Sequence, residues 1–290
     1  MDNLSNIKTV KEILARHGFT FSKSLGQNFI INPSVCPKMA ELCGAEKGVG
    51  VLEVGPGIGV LTNELAKRAE KVVAVELDTR LPDVLAETLS EHKNVKIISG
   101  DILKLDLNQL IADEFHGMRV IVCANLPYYI TTPVIMRFLE EHIPISSMTV
   151  MVQKEAAQRI CAPMGTRNSG AVTAAVNYYS RPRQLFTVSA GSFMPAPKVD
   201  SAVIRLDIFD EPSVEVLNND TLFKVIKAAF AQRRKTLPNT LSSGLSIDKK
   251  EINTLLEECG IPLNSRAEQL SLEELARIAD ALERRKYGEN

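Results

Sequence analysis

Short runs of Val, Ile and Leu recur along the first two thirds of the chain, and stretches with helical spacing separate them. GVLEVG (50–55), KVVAVEL (71–77) and VKIISGD (95–101) are three such runs, with NELAKRA and LPDVLAETLSEH between them. Strands alternating with helices imply right-handed βαβ units and a parallel sheet. MRVIVCAN (118–125) and SSMTVMVQKE (146–155) extend the series, with TPVIMRFLEEH as the helix between. RQLFTVS and SAVIRLDIF are then predicted as strands flanking a loop, AGSFMPAPKVD. With no full helix between them, they predict an antiparallel hairpin closing the sheet edge. Ahead of the sheet, Val10, Ile13 and Leu14 fit a short amphipathic helix over 9–17 that Gly18 ends, followed by a polar loop, TFSKSLGQNFIINPSV.

The pattern changes after Phe209: DEPSVEVLNND reads as a polar connector and the remainder as helices without a strand candidate. The predicted division is an α/β catalytic domain over 1–209 and a small all-helical domain over 210–290. A length of 290 residues suits one large and one small domain. The formal net charge of -1 provides no global field for a polyanion, so a nucleic-acid partner must be met by a local patch. Such a patch exists: Leu222 to Ile247 contains no acid, while Lys224, Lys227, Arg233, Arg234 and Lys235 are basic, and Lys154 and Arg159 add to them. The five cysteines are odd in number, scattered and without CxxC spacing, which fits reduced core thiols and no metal site. MDNLSNIKTV lacks a signal-peptide apolar core and no stretch approaches the ~20 apolar residues of a membrane span, so the expected location is the cytoplasm.

Three features give this frame a chemistry. EVGPGIGVLT places Gly55, Gly57 and Gly59 where a strand turns into a helix, so that backbone can pass close to a ligand. The spacing is GxGxG, whereas a pyrophosphate-binding dinucleotide turn uses GxGxxG, which favours a cofactor without phosphates. Glu76 and Asp101 end the next two strands, where one carboxylate can accept from ribose hydroxyls and the other from an adenine amino group. Finally, Asn125, Leu126, Pro127 and Tyr128 finish an apolar strand with a proline-fixed turn. That turn can aim the Asn125 amide oxygen, a freed backbone carbonyl and an aromatic face into one cleft, a site for the planar amine of an unstacked base.

SLGQNFIINP, LEVGPGIGVLT, VELD, GDIL, ANLPYY, MVQKEAAQRI and FMPAPKVDSAV, in this order, closely resemble the small-subunit ribosomal RNA adenine N6,N6-dimethyltransferases. The resemblance covers nearly the whole chain, including AAFAQRRKTLPNTL and RAEQLSLEELARIADAL in the tail. It implies a Rossmann-like class I fold with S-adenosyl-L-methionine as cofactor. The implied reaction is dimethylation of two adjacent adenosines near the 3′ end of 16S rRNA, within an assembling small subunit and by a monomer. By the same resemblance, Asn28 and Ile30 contact the methionine part of the cofactor, and Gly55 and Gly57 belong to its turn. Glu76 takes the ribose, Asp101 the adenine and Asn125 the reacting edge, while Phe193 faces the target base opposite Tyr128.

Three other readings remain open. A large-subunit rRNA adenine methyltransferase would share the chemistry; Leu126 in the tetrapeptide and the RRKTLPNTL tail favour the small-subunit type. A non-catalytic RNA or transcription factor on the same fold would be expected to lack intact cofactor and amine sites. An NAD-dependent dehydrogenase is disfavoured by the glycine spacing and by the absence of a placed His or Tyr-x-x-x-Lys.

Overall fold

The computed structural model describes residues 4–19 and 28–286. The chain separates into two compact units, residues 1–157 with 183–208, and residues 158–182 with 209–290.

The first unit is built on a seven-stranded sheet. In chain order its strands are β2 (Val49–Val54), β3 (Lys71–Glu76), β4 (Val95–Ser99), β5 (Arg119–Asn125), β6 (Ser147–Gln153), β7 (Ser180–Val188) and β9 (Ser201–Ile208). The spatial order is β4-β3-β2-β5-β6-β9-β7. The five strands from β4 to β6 run parallel, and β9 is antiparallel to β6. The α/β class, the parallel series and a non-parallel edge follow the sequence reading. Every residue of β2 is buried, as expected of a central parallel strand covered on both faces, whereas the edge strand β4 is only partly covered. Cys36, Cys43 and Cys123 are in the core around β2.

The crossovers are α3 (Val60–Ala66), α4 (Pro82–Thr88), α5 (Leu107–Phe115) and α6 (Thr131–Glu140). Ahead of them come α1 (Ile7–Arg16) and α2 (Val35–Leu42). Asn6 caps α1 by accepting from the Lys8 amide, and Val10, Ile13 and Leu14 form its buried stripe. The sequence predicts plain loops over 20–35 and 190–200. Of the first segment, residues 20–27 lie outside the described residues, but two short strands correct the rest of this reading. β1 (Phe29–Ile30) pairs antiparallel with β8 (Phe193–Met194), Phe29 opposite Met194 and Ile30 opposite Phe193. No periodicity can announce a strand of two residues.

After β6 comes α7 (Lys154–Ile160), and the second unit contains α8 (Ala171–Tyr179), α9 (Asn219–Phe230), α10 (Leu237–Leu245), α11 (Lys249–Glu258) and α12 (Leu272–Lys286). The sequence reading divided the chain at 209/210 alone; the contacts group residues 158–182 with the helical part as well. Tyr179 stacks on Phe223 of α9 with ring centroids 5.6 Å apart, and the Tyr178 hydroxyl donates to Asn219 Oδ1 at 2.7 Å. The Phe209 and Ser213 amides donate to the carbonyls of Tyr179 and Tyr178, holding the returning chain against α8. Buried Glu283 of α12 accepts from Thr221 and from Asn218 at the start of α9.

Gly50 in β2 is a point of close approach. A Cβ there would be 2.2 Å from Cδ1 of Phe115, a fully buried ring with nowhere to move. Gly50→Ala is therefore expected to lower stability by about 1–3 kcal/mol through overpacking. Denaturant melts that superimpose on those of the parent protein would refute this packing constraint.

Candidate active site

Parallel strands all end at one edge of the sheet, and the chain reverses its direction of travel between β2 and β5, which opens a crevice there. A cleft of about 270 Å³ occupies this position. Asn28, Ile30, Gly55, Gly57, Glu76, Asp101, Asn125, Leu126, Pro127, Tyr128 and Phe193 all line it. Every residue that the sequence reading put at the cofactor or the reacting base is thus at one cleft.

Gly55, Gly57 and Gly59 carry φ angles of +69°, +60° and +87°, the left-handed region that favours glycine. At Gly57 a side chain would also press on the Phe29 ring, 3.1 Å from the site of its Cβ. Glu76 fixes this turn: its Oε2 accepts from the Gly57 amide at 3.3 Å and its Oε1 from the Asp78 amide at 2.8 Å. Burial raises the Glu76 pKa, and these two amides oppose the rise. Asp101 is more open; its Oδ1 accepts from the Leu103 amide at 3.0 Å and its Oδ2 pairs with Lys104 at 3.6 Å.

Across the crevice, the Asn125 amide nitrogen donates to the Asn28 carbonyl at 3.4 Å. Among the described residues nothing donates to the Asn125 amide oxygen. The Ile130 amide closes the following turn on the Pro127 carbonyl at 3.1 Å, and the Thr131 hydroxyl donates to the same oxygen. Tyr128 and Ser201 share a hydrogen bond between hydroxyls at 2.8 Å, which orients the half-buried ring. Burial raises the Tyr128 pKa, so the phenol stays neutral. Phe193 is 4% exposed and reaches the cleft through the β1–β8 pairing.

Glu53 is a site residue that sequence reasoning missed. It stands inside β2, is 1% exposed, lines the cleft, and its Oε2 has no hydrogen-bond partner. Burial pushes its pKa up to about 8, and the neighbouring Glu76 charge adds to the rise. The available signal was an acid inside the apolar run GVLEVG, where a doubly covered strand should hold none. With Glu53, Glu76 and Asp101 on its wall and no Lys or Arg among its described lining residues, the cleft fits a cation and disfavours a pyrophosphate.

The predicted RNA contacts lie outside this cleft. Lys224 and Lys227 are exposed on α9, and Arg233, Arg234 and Lys235 are exposed just beyond it. Arg159 is exposed in the same unit, and Lys154 is exposed in the first unit. Among the described residues none of these seven pairs with an acid; Arg233 donates to the Arg167 carbonyl at 2.8 Å. The described residues hold no cluster of three or more His, Cys, Asp or Glu suited to a metal ion. No described helix is long and apolar enough to cross a membrane.

Solved structures carry the same fold. The 23S rRNA methyltransferase ErmE is 26% identical and superimposes with a TM-score of 0.67 over 88% of this chain and 100% of its own. A dimethyladenosine transferase from Plasmodium falciparum is 24% identical, with a TM-score of 0.73 over 90% of this chain and 98% of its own, a likeness of fold. Similarity in sequence goes further. The ribosomal RNA small subunit methyltransferase A of Alkaliphilus oremlandii is 48% identical over 283 residues, 97% of this chain and 99% of the relative. The protein of that description from Geobacillus thermodenitrificans is 49% identical over 277 residues, 94% of each chain. Residues 18–284 match the model of one family, and on that match and these near full-length identities the chain belongs to the ribosomal RNA adenine dimethylase family.

Proposed function

We propose that this chain transfers methyl groups from S-adenosyl-L-methionine to the N6 amine of adenosines in small-subunit (16S) rRNA, giving dimethyladenosine at two adjacent positions near the 3′ end. The observation that carries the reading is an acidic, phosphate-averse cleft that holds, with the Tyr128 ring, an Asn125 amide oxygen to which nothing donates among the described residues. Relatives 44–49% identical over nearly the whole chain are named for the small subunit, whereas the 23S rRNA enzyme is 26% identical; this favours the small-subunit substrate. The seven exposed cations, without acidic partners among the described residues, suit phosphate contacts; six of them are in the second unit, which supports reading that unit as RNA-binding. Such an enzyme works where ribosomal subunits are assembled, in the cytoplasm, and the cleft calls for no second copy.

When bound, the cofactor supplies an electrophilic methyl on a positively charged sulfonium. Glu76 and Asp101 are the ribose and adenine acceptors in this reading, and the buried Glu53 carboxyl, which keeps its proton in the free protein, would give it up to become the counter-charge when the cation binds. Asn28, Ile30, Gly55 and Gly57 complete the wall that holds the cofactor.

On the other side, the adenine amine is a poor nucleophile because its lone pair is delocalised into the ring. The Asn125 amide oxygen accepts one of its hydrogens. Since the Pro127 carbonyl is committed to its turn, the Leu126 carbonyl is the second acceptor. Two fixed acceptors favour a pyramidal nitrogen whose lone pair points at the methyl. No ionised base is required before attack, because the nitrogen becomes acidic only after it gains the methyl. Tyr128 and Phe193 offer faces to the base, and the Tyr128 hydroxyl, engaged by Ser201, serves to hold its ring.

Incubation of undermethylated small subunits with labelled S-adenosyl-L-methionine, followed by nuclease digestion and mass spectrometry, tests the reading directly. Label in dimethyladenosine of the small-subunit RNA is expected; label confined to large-subunit RNA would reassign the substrate. Asn125→Ala should lower the single-turnover methyl-transfer rate by about 100- to 1000-fold with little loss of substrate binding. Tyr128→Phe should retain much of the activity, because it keeps the ring. Near-normal rates in a folded Asn125→Ala would remove that residue from the mechanism.

Glu53 predicts a pH dependence. Its folded pKa of about 8 lies above the ordinary 4.5, so the folded protein holds a proton that the unfolded chain releases. Stability therefore declines as pH rises through this window, and the full penalty is present above it. Glu53→Gln is expected to melt above the parent protein at about pH 9, to gain nothing at about pH 5, and to bind S-adenosyl-L-methionine more weakly. Calorimetric melts at both pH values and titration with the cofactor measure all three. An equal shift in melting at both pH values would show that ionisation of Glu53 is not the cause.

A further inference from the structure

Tyr128 and Tyr129 are identical neighbours with opposite environments. The turn closed by Ile130 on Pro127 holds both, but Tyr128 is partly buried and tied to Ser201, while Tyr129 is 56% exposed. Tyr129 nevertheless lines the mouth of the same cleft. Its backbone is fixed on both sides, by buried Leu126 before the turn and by buried Thr131 at the start of α6 after it. A large ring on a rigid turn, left in water beside a site that takes a base out of its stack, is an anchor already held in place for a second ring.

Position decides which ring. The carboxylates and the glycine turn occupy the ends of β2, β3 and β4, whereas Tyr129 is in the turn that follows β5, four residues after Asn125. It is therefore on the side of the accepting base. When an adenosine swings into the cleft, the nucleobase next to it in the strand loses a stacking partner at the cleft mouth. We propose that Tyr129 is a substrate-positioning residue whose exposed ring stacks on the nucleobase flanking the target adenosine. The role rests on the reading of the cleft as an adenine N6-methyltransferase site and extends it from the reacting base to its neighbour. Stacking of this kind tolerates any base, so Tyr129 sets the register of the strand and not its sequence.

Steady-state methyl transfer to undermethylated small subunits tests the proposal, with cofactor affinity and melting temperature measured alongside. Tyr129→Ala should raise KM for the subunits by about 10- to 100-fold, the range expected for one lost base–aromatic stack, and leave kcat at saturating subunits within about twofold. Tyr129→Phe should restore KM, because the ring and not the hydroxyl does the work. Cofactor affinity and melting temperature should match the parent protein in both variants. A parental KM in Tyr129→Ala would overturn the role, as would a fall in kcat without a change in KM. A KM defect accompanied by weaker cofactor binding or a lower melting temperature would show a merely structural residue, again overturning it. Absence of methyl transfer to adenosine by the parent protein would instead refute the reading of the cleft, so the two failures are distinguishable.

Discussion

The parallel register of β2 with both β3 and β5 is the constraint on which the site depends. Val54 pairs with Val75 on one side and Glu53 with Cys123 on the other, so the three strands finish at one level. Whatever follows their last residues must meet there: the glycine turn after β2, Glu76 at the end of β3 and Asn125 at the end of β5. A one-residue slip of any strand would turn its functional side chain to the opposite face. At the other end of β2, Gly50 leaves room for the buried Phe115 ring of α5.

The cleft sets stability against binding. Carboxylates are costly to bury, and burial raises the Glu53 pKa so that the group keeps its proton near neutral pH. Glu76 meets that cost differently, by accepting two backbone amides, and in doing so ties the glycine turn to β3. One acid thus shapes the turn, while the other, in the proposed function, is the counter-charge of a positively charged ligand. A wall without basic side chains among its described residues makes the pocket selective by charge before shape is considered.

Two segments distant in sequence complete the wall. The β1–β8 pair joins residues 29–30 to 193–194, setting Phe193 beside Ile30, and Ser201 reaches Tyr128 from the start of β9. The aromatics proposed to face the base are therefore oriented by the late strands, while the proposed acceptors come from the end of β5 and its turn. Chemistry and positioning have separate structural origins, and within the β5–α6 turn two adjacent tyrosines divide between an inner and an outer ring.

By itself, the sequence determined the strand series, the glycine turn, the acids at successive strand ends and the Asn-Leu-Pro-Tyr turn. Each is local: a run of apolar residues, a glycine spacing or a proline constrains the backbone within a few residues of itself. The order of those features was also enough to suggest the family. Only the tertiary structure decided the pairing of β1 with β8, the grouping of residues 158–182 with the C-terminal helices, the raised pKa of Glu53 and the different exposures of Tyr128 and Tyr129. Two-residue strands have no period to read, and aromatic packing such as Tyr179 on Phe223 joins segments far apart in the chain. A carboxyl group's ionisation and a ring's exposure depend on which atoms surround them, and those atoms are assembled only when the chain has folded.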